Sequence, residues 1–378
     1  MRLLFVTPRY GELAGGAETL CRALVERCCD GWDAEVATTC VRDLFTCENE
    51  LEAGTVEMGG ALVRRFPASV PFHPGRSNGR YLDEVGRLAR SLWSQELHDF
   101  LRLEGERFDL ILFAPYLFGT TFWGAQVHPD RSALIPCLHD EPEARLSPMK
   151  ALFARVRGAI FNSLAEQRLA SSLYVVPRSR VVGIGLDFPA EEPDVEGFRD
   201  KHGIEGPYLV YCGRLEEGKQ VDRLVRYVED YNASLASTEQ PLLLVLAGEG
   251  PYRPSRAKHA KLVGFLPEEE KRAALAGATA YCTASHLESL SITALEAWRE
   301  RTPVIASSKS AVLAEHVGTS GGGILFSRSW QFKRSVGRFR DPEERRRAGA
   351  AGRAYVEERY AWGPVRERFR EAVNALSG

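Results

Sequence analysis

The chain has 378 residues and a formal net charge of -2, with 44% hydrophobic and 26% charged residues. This composition is that of an ordinary globular protein, and the length predicts two or three domains. A chain with no basic excess has no surplus charge to neutralise phosphates, which excludes a dedicated nucleic-acid-binding protein.

The N-terminal segment and the cysteines bear on location. The first apolar run is only about five residues long, whereas a helix that spans a bilayer needs roughly 20. The segment also lacks the long apolar core and cleavage site of a signal peptide. The eight cysteines form no C-x-x-C pair and have no metal-ligand spacing, which is typical of reduced thiols. We therefore expect a cytoplasmic protein.

Short apolar runs alternate with amphipathic helical patterns along the whole chain. The runs predict strands at 2–8, 34–40, 62–68, 108–115, 132–139, 158–163, 180–185, 207–213, 241–248, 261–267, 278–285, 302–308 and 322–327. Helical patterns lie between most of them, for example at 17–29 and 164–174. This alternation predicts an α/β protein with parallel sheets covered on both faces. The Pro-, Gly- and acid-rich stretch near residues 186–207 interrupts the rhythm and predicts a linker between two Rossmann-like, doubly wound domains.

Two glutamates, Glu288 and Glu296, have seven residues between them. On one helix they would be about 12 Å apart along the axis, too far to flank one glycosidic bond. We interpret Glu288 as a loop residue and Glu296 as lying inside a helix that begins near Ser289 or Ser291, both suitable N-caps. Such a layout, with free amides between the carboxylates, suits an elongated nucleotide-sugar. The alternative is a surface glutamate and an ordinary helical one, and spacing alone favours that alternative.

A Gly-containing loop after the strand at 207–213 has two cations, Arg214 and Lys219. Cations at the carboxyl end of a strand can bind a diphosphate and stabilise its charge as it departs. The chain has no D-x-D pair that would hold the diphosphate through a metal, which makes the two cations more necessary. Their alternative role is that of solvated loop residues beside Glu216 and Glu217.

Other strand ends have weaker signals. Gly15 and Gly16 open a predicted helix, where glycines let a ligand approach backbone amides, although a plain turn explains them as well. Gly248 and Gly264, the latter followed by Phe265, form turns that can accommodate a base and ribose through backbone groups.

His139 ends another predicted strand and is followed by Asp140 and Glu141. The imidazole could contact a sugar or assist proton movement, but a lone histidine at a strand end is more often structural. Asp140 and Glu141 are alternative N-caps for a helix after Pro142.

Together these motifs resemble the family 4 retaining glycosyltransferases of the GT-B fold. The most specific part is the glutamate pair followed by AWRERTPVIAS, and GRLEEGKQVDRLV is similar to the family's Arg-to-Lys diphosphate loop. LAGEGP and VGFLP look like its next two strand ends, AGGAE like its N-terminal glycine loop and LHDE like its His-containing loop. ERYAW resembles the segment from which the last helix crosses back to the N-terminal domain. The likeness covers most of the chain.

The resemblance implies two Rossmann-like domains that face a cleft. Residues 1–186 with a C-terminal helix at 361–378 would form the acceptor domain, 187–206 the linker and 207–360 the nucleotide-sugar donor domain. Transfer of a hexose to an acceptor hydroxyl would retain the configuration at the anomeric carbon. A front-side mechanism is implied, in which the departing phosphate helps to remove the acceptor proton, and neither a cofactor nor a metal is expected.

The resemblance also implies roles for the charged residues. Glu288 would contact the hydroxyl groups of the donor sugar, and Glu296 would hold the ribose. Arg214 and Lys219 would bind the diphosphate and stabilise the leaving group.

Backbone groups would complete the donor site. The amides of Ser291 and Ile292 would face phosphate, and Gly264 and Phe265 would lie near the base.

In the N-terminal domain, Gly16 would approach the diphosphate or the acceptor, and His139 would lie near the transferred sugar. The chain departs from the family where Ser289 and Ser291 replace the two glycines that often follow the first glutamate. Side chains there restrict the loop and add atoms near the donor.

Two alternative functions stay open. One is an inactive sugar-nucleotide-binding or scaffold protein, against which the joint presence of Glu288, Arg214 and Lys219 argues. The other is a GT-B relative such as a nucleotide-sugar epimerase or phosphorylase. A nicotinamide dehydrogenase is disfavoured because neither half contains the dinucleotide glycine fingerprint.

The partners implied are a nucleotide-diphosphate sugar and a sugar, lipid-linked or small-molecule acceptor, in bacterial polysaccharide, glycolipid or glycosylated-metabolite biosynthesis. Tyr116 and Phe118 are candidates for lining an acceptor pocket, with a core role as the alternative. Residues 150–161 would allow peripheral contact with the inner face of a membrane, and a buried helix–strand pair explains that segment as well.

Overall fold

A computed structural model describes residues 1–13, 15–44, 46–69, 84, 91–254 and 257–378. The chain divides into two compact units. The N-terminal unit comprises Met1–Gly185 and Trp362–Gly378, and the C-terminal unit comprises Leu186–Ala361.

Eight strands form the sheet of the N-terminal unit. They are β1 Arg2–Val6, β2 Asp33–Thr39, β3 Gly54–Met58, β4 Ala61–Phe66, β5 Leu110–Phe113, β6 Ser132–Leu134, β7 Gly158–Phe161 and β8 Ser179–Val181. Their order is β3-β4-β2-β1-β5-β6-β7-β8. Strands β2, β4 and β3 lie outward from β1, and β6, β7 and β8 lie outward from β5, so the topological switch point of this sheet lies between β1 and β5.

Helices α1 to α5 connect these strands. They are α1 Gly16–Cys28, α2 Gln95–Glu104, α3 Gly119–Gly124, α4 Ser147–Arg155 and α5 Leu164–Leu173, with 3₁₀ turns at Gly105–Arg107 and Pro142–Arg145. Strands β5, β6 and β7 are buried at every position. Continuous burial is the expected result when helices cover both faces of a parallel sheet.

One strand of the N-terminal unit was not predicted. β3 pairs antiparallel with β4, with Val56 opposite Val63, whereas the other paired strands of this sheet run parallel. Gly59 and Gly60 connect the two strands with φ angles of 58° and 79°. Two consecutive glycines at positive φ form a tight hairpin turn, so the sequence did contain a signal for this strand. The expectation of purely parallel sheets is wrong at this edge.

The last helix, Trp362–Ser377, packs in the N-terminal unit, as the family resemblance implied. The ring of Phe369 lies 6.3 Å from that of Phe5 and 6.2 Å from that of Trp32. Gly185 meets the indole of Trp362 so closely that an added Cβ would overlap the ring. These contacts make the helix part of the core of this unit.

Six strands form the sheet of the C-terminal unit. They are β9 Tyr208–Cys212, β10 Leu243–Ala247, β11 Ala260–Gly264, β12 Ala280–Thr283, β13 Val304–Ser307 and β14 Gly323–Phe326. All of their pairings are parallel, in the order β11-β10-β9-β12-β13-β14. This is the doubly wound Rossmann order, with its switch point between β9 and β12.

Seven helices belong to the C-terminal unit. They are α6 Val195–His202, α7 Val221–Asn232, α8 Glu268–Ala276, α9 Ile292–Arg299, α10 Ala311–Ser320, α11 Ser329–Arg340 and α12 Pro342–Tyr360, and a 3₁₀ turn spans Glu217–Lys219. The last helix of the chain is accordingly α13. The thirteen strands predicted from the sequence, and the two helices named there, are confirmed.

The linker expected at 187–206 is instead packed into the C-terminal unit. It contains α6, whose Phe198 is buried with its ring 6.3 Å from that of Tyr208 in β9. Arg199 donates hydrogen bonds to the carbonyls of Ile204 and Gly206, which attaches the following turn to the helix. The acidic surface of this stretch resembles a linker, but its contacts, which include a hydrogen bond from Arg272 to the carbonyl of Glu191, attach it to the C-terminal unit.

Candidate functional site

The strongest sequence candidates converge on the switch point of the C-terminal sheet. Arg214 and Lys219 follow β9, and Glu288 follows β12, its hydrogen-bonded neighbour. Loops after strands on either side of a switch point diverge and leave a crevice at the carboxyl edge of the sheet. The topology therefore places a pair of basic residues and an acidic residue where doubly wound sheets bind ligands.

Lys219 and Glu288 form an ion pair across this point. The ammonium Nζ of Lys219 lies 2.8 Å from Oε1 of Glu288 and 3.3 Å from the carbonyl oxygen of Leu287. Both side chains are mostly shielded, with exposures of 21% and 13%. The pair connects the loop after β9 to the loop after β12 and sets the position of each charge relative to the other.

Arg214 has a different environment, because its side chain is 60% exposed and pairs with Glu216 at 3.0 Å. Its backbone is fixed more firmly than its guanidinium, since the hydroxyl of Tyr211 donates to the Arg214 carbonyl at 2.9 Å. The preceding Gly213 has a φ of 151°, a conformation that favours glycine. An exposed guanidinium on a constrained backbone can turn toward an anionic ligand without breaking a buried contact.

Helix α9 begins directly after Ser291, whose φ and ψ are both 63°. Ser291 occupies the N-cap position, as predicted, but its side chain makes no capping hydrogen bond to the helix. Its left-handed backbone directs the chain into the helix, and the first amides, including that of Ile292, have no intrahelical acceptor. Free amides at a helix start favour an anion.

A buried histidine supports this turn from behind. Nε2 of His316, in α10, lies 3.0 Å from the carbonyl oxygen of Leu290, and Nδ1 lies 2.7 Å from the hydroxyl of Tyr355. The ring is fully buried against the indole of Trp298, and burial lowers the pKa of His316 to about 4. A neutral ring that donates to Leu290 and accepts from Tyr355 satisfies both contacts. His316 thus holds the residue just before Ser291.

Glu296 lies in the second turn of α9, as predicted, and has its own lysine. Its Oε1 is 2.7 Å from Nζ of Lys271 in α8, which also pairs with Glu268 at 2.7 Å. The two carboxylates raise the pKa of Lys271 and outweigh the opposing effect of burial. The two glutamates of the motif are therefore each held by a separate lysine, Lys219 for Glu288 and Lys271 for Glu296. This arrangement fits two ends of one ligand better than joint chemistry on one bond.

The glycine turns after β9 and β10 approach each other closely. A Cβ added at Gly248, where φ is 132°, would overlap the carbonyl oxygen of Gly213. The amide of Gly248 donates to the carbonyl of Gly264 at 2.7 Å, so the ends of β10 and β11 are also joined. Gly264 has a φ of 77° and open space beside it, and the side chain of Phe265 is 61% exposed. An exposed aromatic ring next to an open backbone turn can stack on a planar base.

In the N-terminal unit, the glycines that open α1 face a carboxylate. The side chain of Glu18 turns back onto Gly15, so that an added Cβ there would overlap the carboxylate. Nε of Arg9 donates to Oε1 of the buried Glu18 at 2.9 Å. The start of α1 therefore already faces a paired anion from its own chain at Gly15, where a ligand phosphate would have to displace it, whereas Gly16 has open space beside it.

His139 lies in the loop after β6 and is 30% exposed, with Nδ1 at 3.8 Å from Oε1 of Glu141. That oxygen accepts a 2.6 Å hydrogen bond from the hydroxyl of the buried Tyr116. Of the two alternative N-caps, Glu141 occupies the position before the turn at Pro142 but makes no side-chain capping bond, and Asp140 pairs with Arg145 at 2.6 Å. Tyr116 belongs to the hydrophobic core of this unit.

Glu166 supports the His139 loop and was missed in the sequence. One of its carboxylate oxygens accepts from the amide of Leu138 at 2.6 Å, and the other accepts from the amide of Asn162 at 2.5 Å. The side chain is 1% exposed, and burial raises its pKa to about 8 against the opposing effect of these donors. The signal was Ser163 followed three residues later by a glutamate at the start of a helix.

Lys271 and His316 were also missed. Neither lies in a recognisable motif, because each acts on a residue far along the chain, Glu296 and Leu290. Only the contact itself identifies them. Within the described ranges, no group of three or more His, Cys, Asp or Glu side chains is placed to hold a metal ion. The described helices include none that is both long and apolar enough to cross a bilayer.

Known proteins are similar to this chain in sequence and in fold. The model of the family "Glycosyl transferases group 1" matches residues 194–355, which span most of the C-terminal unit. Sucrose-phosphate synthase from Thermosynechococcus elongatus has a similar structure, with a TM-score of 0.76, 16% identity and coverage of 100% of this chain and 99% of that one.

Two further solved structures are similar over nearly their whole length. HepE from Anabaena, in complex with UDP and glucose, has a TM-score of 0.72 and 16% identity, with 98% of this chain and 99% of that chain covered. WaaG, a glycosyltransferase involved in lipopolysaccharide biosynthesis, has a TM-score of 0.68 and 14% identity, with 98% and 99% covered. At such low identities the likeness shows the fold and leaves the ligands of this chain to be established.

Proposed function

We propose that the protein is a retaining, metal-independent glycosyltransferase, because residues 194–355 match the model of the glycosyl transferases group 1 family and the whole chain has the GT-B fold. It moves a hexose from a nucleotide-diphosphate sugar to an acceptor hydroxyl. The observation that carries the proposal is the grouping of Arg214, Lys219 and Glu288 at the switch point of the C-terminal sheet.

Arg214 and Lys219 stabilise the departing nucleoside diphosphate. Breaking the bond between the anomeric carbon and the diphosphate leaves negative charge on the nucleoside diphosphate, and a group that stabilises this charge lowers the barrier. Lys219 is held close to the switch point by Glu288, and the exposed Arg214 is free to turn toward the phosphates. The amides of Ser291 and Ile292 at the start of α9 add donors without a charged side chain.

Glu288 and Glu296 bind the two ends of the donor, the sugar and the ribose. Glu288 accepts hydrogen bonds from hydroxyl groups of the sugar, and Glu296 accepts them from the ribose. Lys271 orients the Glu296 carboxylate by binding one of its oxygens, which leaves the other for the ribose. The open turn at Gly264 and the exposed ring of Phe265 receive the base.

The N-terminal unit supplies the acceptor side. His139 is half-shielded in a loop that Glu166 fixes through the amide of Leu138, which supports a role in orienting the sugar or acceptor. Gly16 contributes at the start of α1, where Glu18 and Arg9 set the local charge. The acceptor is a sugar, lipid-linked or small-molecule hydroxyl, and contact with the inner face of a membrane is part of this proposal for a lipid-linked acceptor.

Thermal-shift screening against nucleoside diphosphates and nucleotide-sugars tests the proposal. A ligand that binds only the folded state at 100 times its dissociation constant stabilises it by about 2.7 kcal/mol. UDP and UDP-glucose are the first ligands to try, because the similar HepE was solved with UDP-glucose. We expect the melting temperature to rise with the nucleotides of one base. The rise should be smaller in a variant with Arg214→Ala and Lys219→Ala.

Arg226→Ala is the matched control, since Arg226 lies on α7 and is 70% exposed in a surface pair with Asp222. Its shift should equal that of the unaltered chain. No shift with any nucleoside diphosphate would contradict the proposal and favour a scaffold protein. A shift without transfer to any acceptor, but with conversion of the sugar, would favour an epimerase.

A further inference from the structure

A group of basic side chains outside the proposed diphosphate site lies at the same edge of the C-terminal sheet. His286 comes three residues after the end of β12, and Lys309 comes two residues after the end of β13. Thr283 and Ala306 are paired in the parallel register of these strands, so the loops that contain His286 and Lys309 leave neighbouring strands at the same edge of the sheet.

Arg223 joins them from the other side of β12. It lies in the first turn of α7, which follows β9 and packs against β12. Burial is the largest cause that lowers the pKa of His286. The positive charges of Arg223 and Lys309 lower it further. Both charges are therefore within electrostatic reach of the imidazole, and the topology that places them together is independent of that effect.

The group differs from its neighbours because no carboxylate balances it. Among the described residues, the side chains of Arg223 and Lys309 have no ion pair or hydrogen bond, and Nδ1 of His286 is shielded from solvent without a hydrogen-bond partner. By contrast, Lys219 pairs with Glu288 and Arg226 with Asp222. Unbalanced cations around a shielded polar atom favour an anion from outside the chain.

We propose that Arg223, His286 and Lys309 form a subsite for one anionic group of a sugar substrate, a carboxylate or a phosphate, beside Glu288. The subsite rests on the proposed function, because Glu288 lies two residues after His286 on the loop assigned to the donor sugar. Arg223 can bind such a group through two parallel N–H donors, and Lys309 contributes a point charge. The diphosphate has its own cations, Arg214 and Lys219, so this group is an additional charge on the substrate.

Two substrates are candidate sources of the negatively charged group that this subsite would bind. It is either a carboxylate on the transferred sugar, as in a hexuronate donor, or a phosphate on a sugar acceptor. A neutral hexose donor with a neutral acceptor would leave the three basic groups without a partner. The inference therefore narrows the substrate class to sugars with a negative charge.

Calorimetric titration of the full chain tests the donor as the source. We expect UDP-glucuronate to bind at least about tenfold more tightly than UDP-glucose, a difference of about 1.4 kcal/mol. In a variant with Arg223→Ala and Lys309→Ala the ratio should fall to about one, while the affinity for UDP stays within about twofold. Arg226→Ala, on the same helix but paired with Asp222, should leave the ratio unchanged.

If the two donors bind alike, titrating the UDP-saturated chain with glucose 6-phosphate tests the acceptor as the source. Binding that the double variant loses and Arg226→Ala keeps would assign the subsite to the acceptor. Binding of UDP without a charge preference in either titration would overturn the subsite and leave the proposed function intact. Failure of the unaltered chain to bind any nucleoside diphosphate of the thermal-shift panel would overturn the proposed function and the subsite with it. Circular dichroism checks that the variants are folded.

Discussion

The ammonium Nζ of Lys219 lies 2.8 Å from Oε1 of Glu288, and the two residues are 69 positions apart in the chain. This contact joins the loops after β9 and β12 at the switch point of the C-terminal sheet. A donor that places its diphosphate on Lys219 and its sugar on Glu288 would use both partners of a pair that already exists. The site is thus preorganised by its own opposite charges.

Replacement of Lys219 by alanine should lower kcat/KM for the donor by at least about tenfold, because it removes a cation from the departing diphosphate. Initial rates of nucleoside diphosphate release in the presence of acceptor give this number. Arg226→Ala is the control and should retain the rate of the unaltered chain. A normal rate in Lys219→Ala would remove this residue from the diphosphate site.

Glu288→Gln should impair transfer by at least about tenfold and leave the melting temperature within a few degrees. The amide keeps the shape of the side chain but loses the charge that strengthens its hydrogen bonds to sugar hydroxyls. Product formation from the true donor is the measurement. Unchanged turnover would return Glu288 to the role of a structural partner for Lys219.

Lys271→Met should destabilise the C-terminal unit by about 1–3 kcal/mol. The variant leaves the carboxylate of Glu296, whose side chain is 11% exposed, without the ammonium that binds it. Urea unfolding measures the effect, and Arg226→Met, which breaks a surface pair with Asp222, should cost less than about 1 kcal/mol. Equal losses of unfolding free energy in the two variants would show that the pair of Lys271 and Glu296 contributes no more than an exposed ion pair.

Acid should destabilise the C-terminal unit through His316. Burial lowers its folded-state pKa to about 4 from 6.5, so between these values the unfolded chain takes up a proton that the folded chain does not. Stability from this residue is complete above pH 6.5 and is lost as the pH falls toward 4, by about 3 kcal/mol in total. Urea unfolding at several pH values should show a shallower decline in His316→Gln. Parallel pH profiles for the variant and the unaltered chain would contradict this.

Transfer activity should survive EDTA. The proposed leaving-group stabilisation comes from Arg214 and Lys219, and the chain has no D-x-D pair to bind a metal–diphosphate complex. Rates measured with EDTA and with added Mg²⁺ or Mn²⁺ should agree. Loss of activity in EDTA that Mg²⁺ or Mn²⁺ restores would show that a metal takes part.

Most of the fold could be predicted from local patterns. Continuous apolar runs identified thirteen strands, since strands buried on both faces have little room for polar residues. β3 was missed because only alternate residues of it are shielded and its composition is polar. The segment 187–206 was taken for a linker because its buried apolar side chains, such as Phe198 and Ile204, are isolated in a polar stretch and have no sequence period.

The sequence identified the candidate site residues that directly follow strands. It did not identify the residues that hold those site residues in place. Arg214, Lys219, Glu288 and Glu296 occur in a recognisable order, and the structure places the first three at one switch point. The same residue types at Lys271 and His316 gave no signal, because their partners come from other elements. The serine that was expected to cap α9 makes no capping bond, since its backbone is left-handed and the helix start is held through Leu290 instead.

The amino-acid sequence by itself determined that this protein is an α/β chain with strands followed by charged and glycine-rich turns, because hydrophobic periodicity and turn chemistry are local properties. Only the tertiary structure decided which charges meet. The parallel order of β9, β12 and β13 brings Lys219 to Glu288, and the loops of His286 and Lys309 to one edge of the sheet. Charge interactions fall off with distance in space and not along the chain, so pairing of remote residues depends on the strand order that the folded sheet adopts.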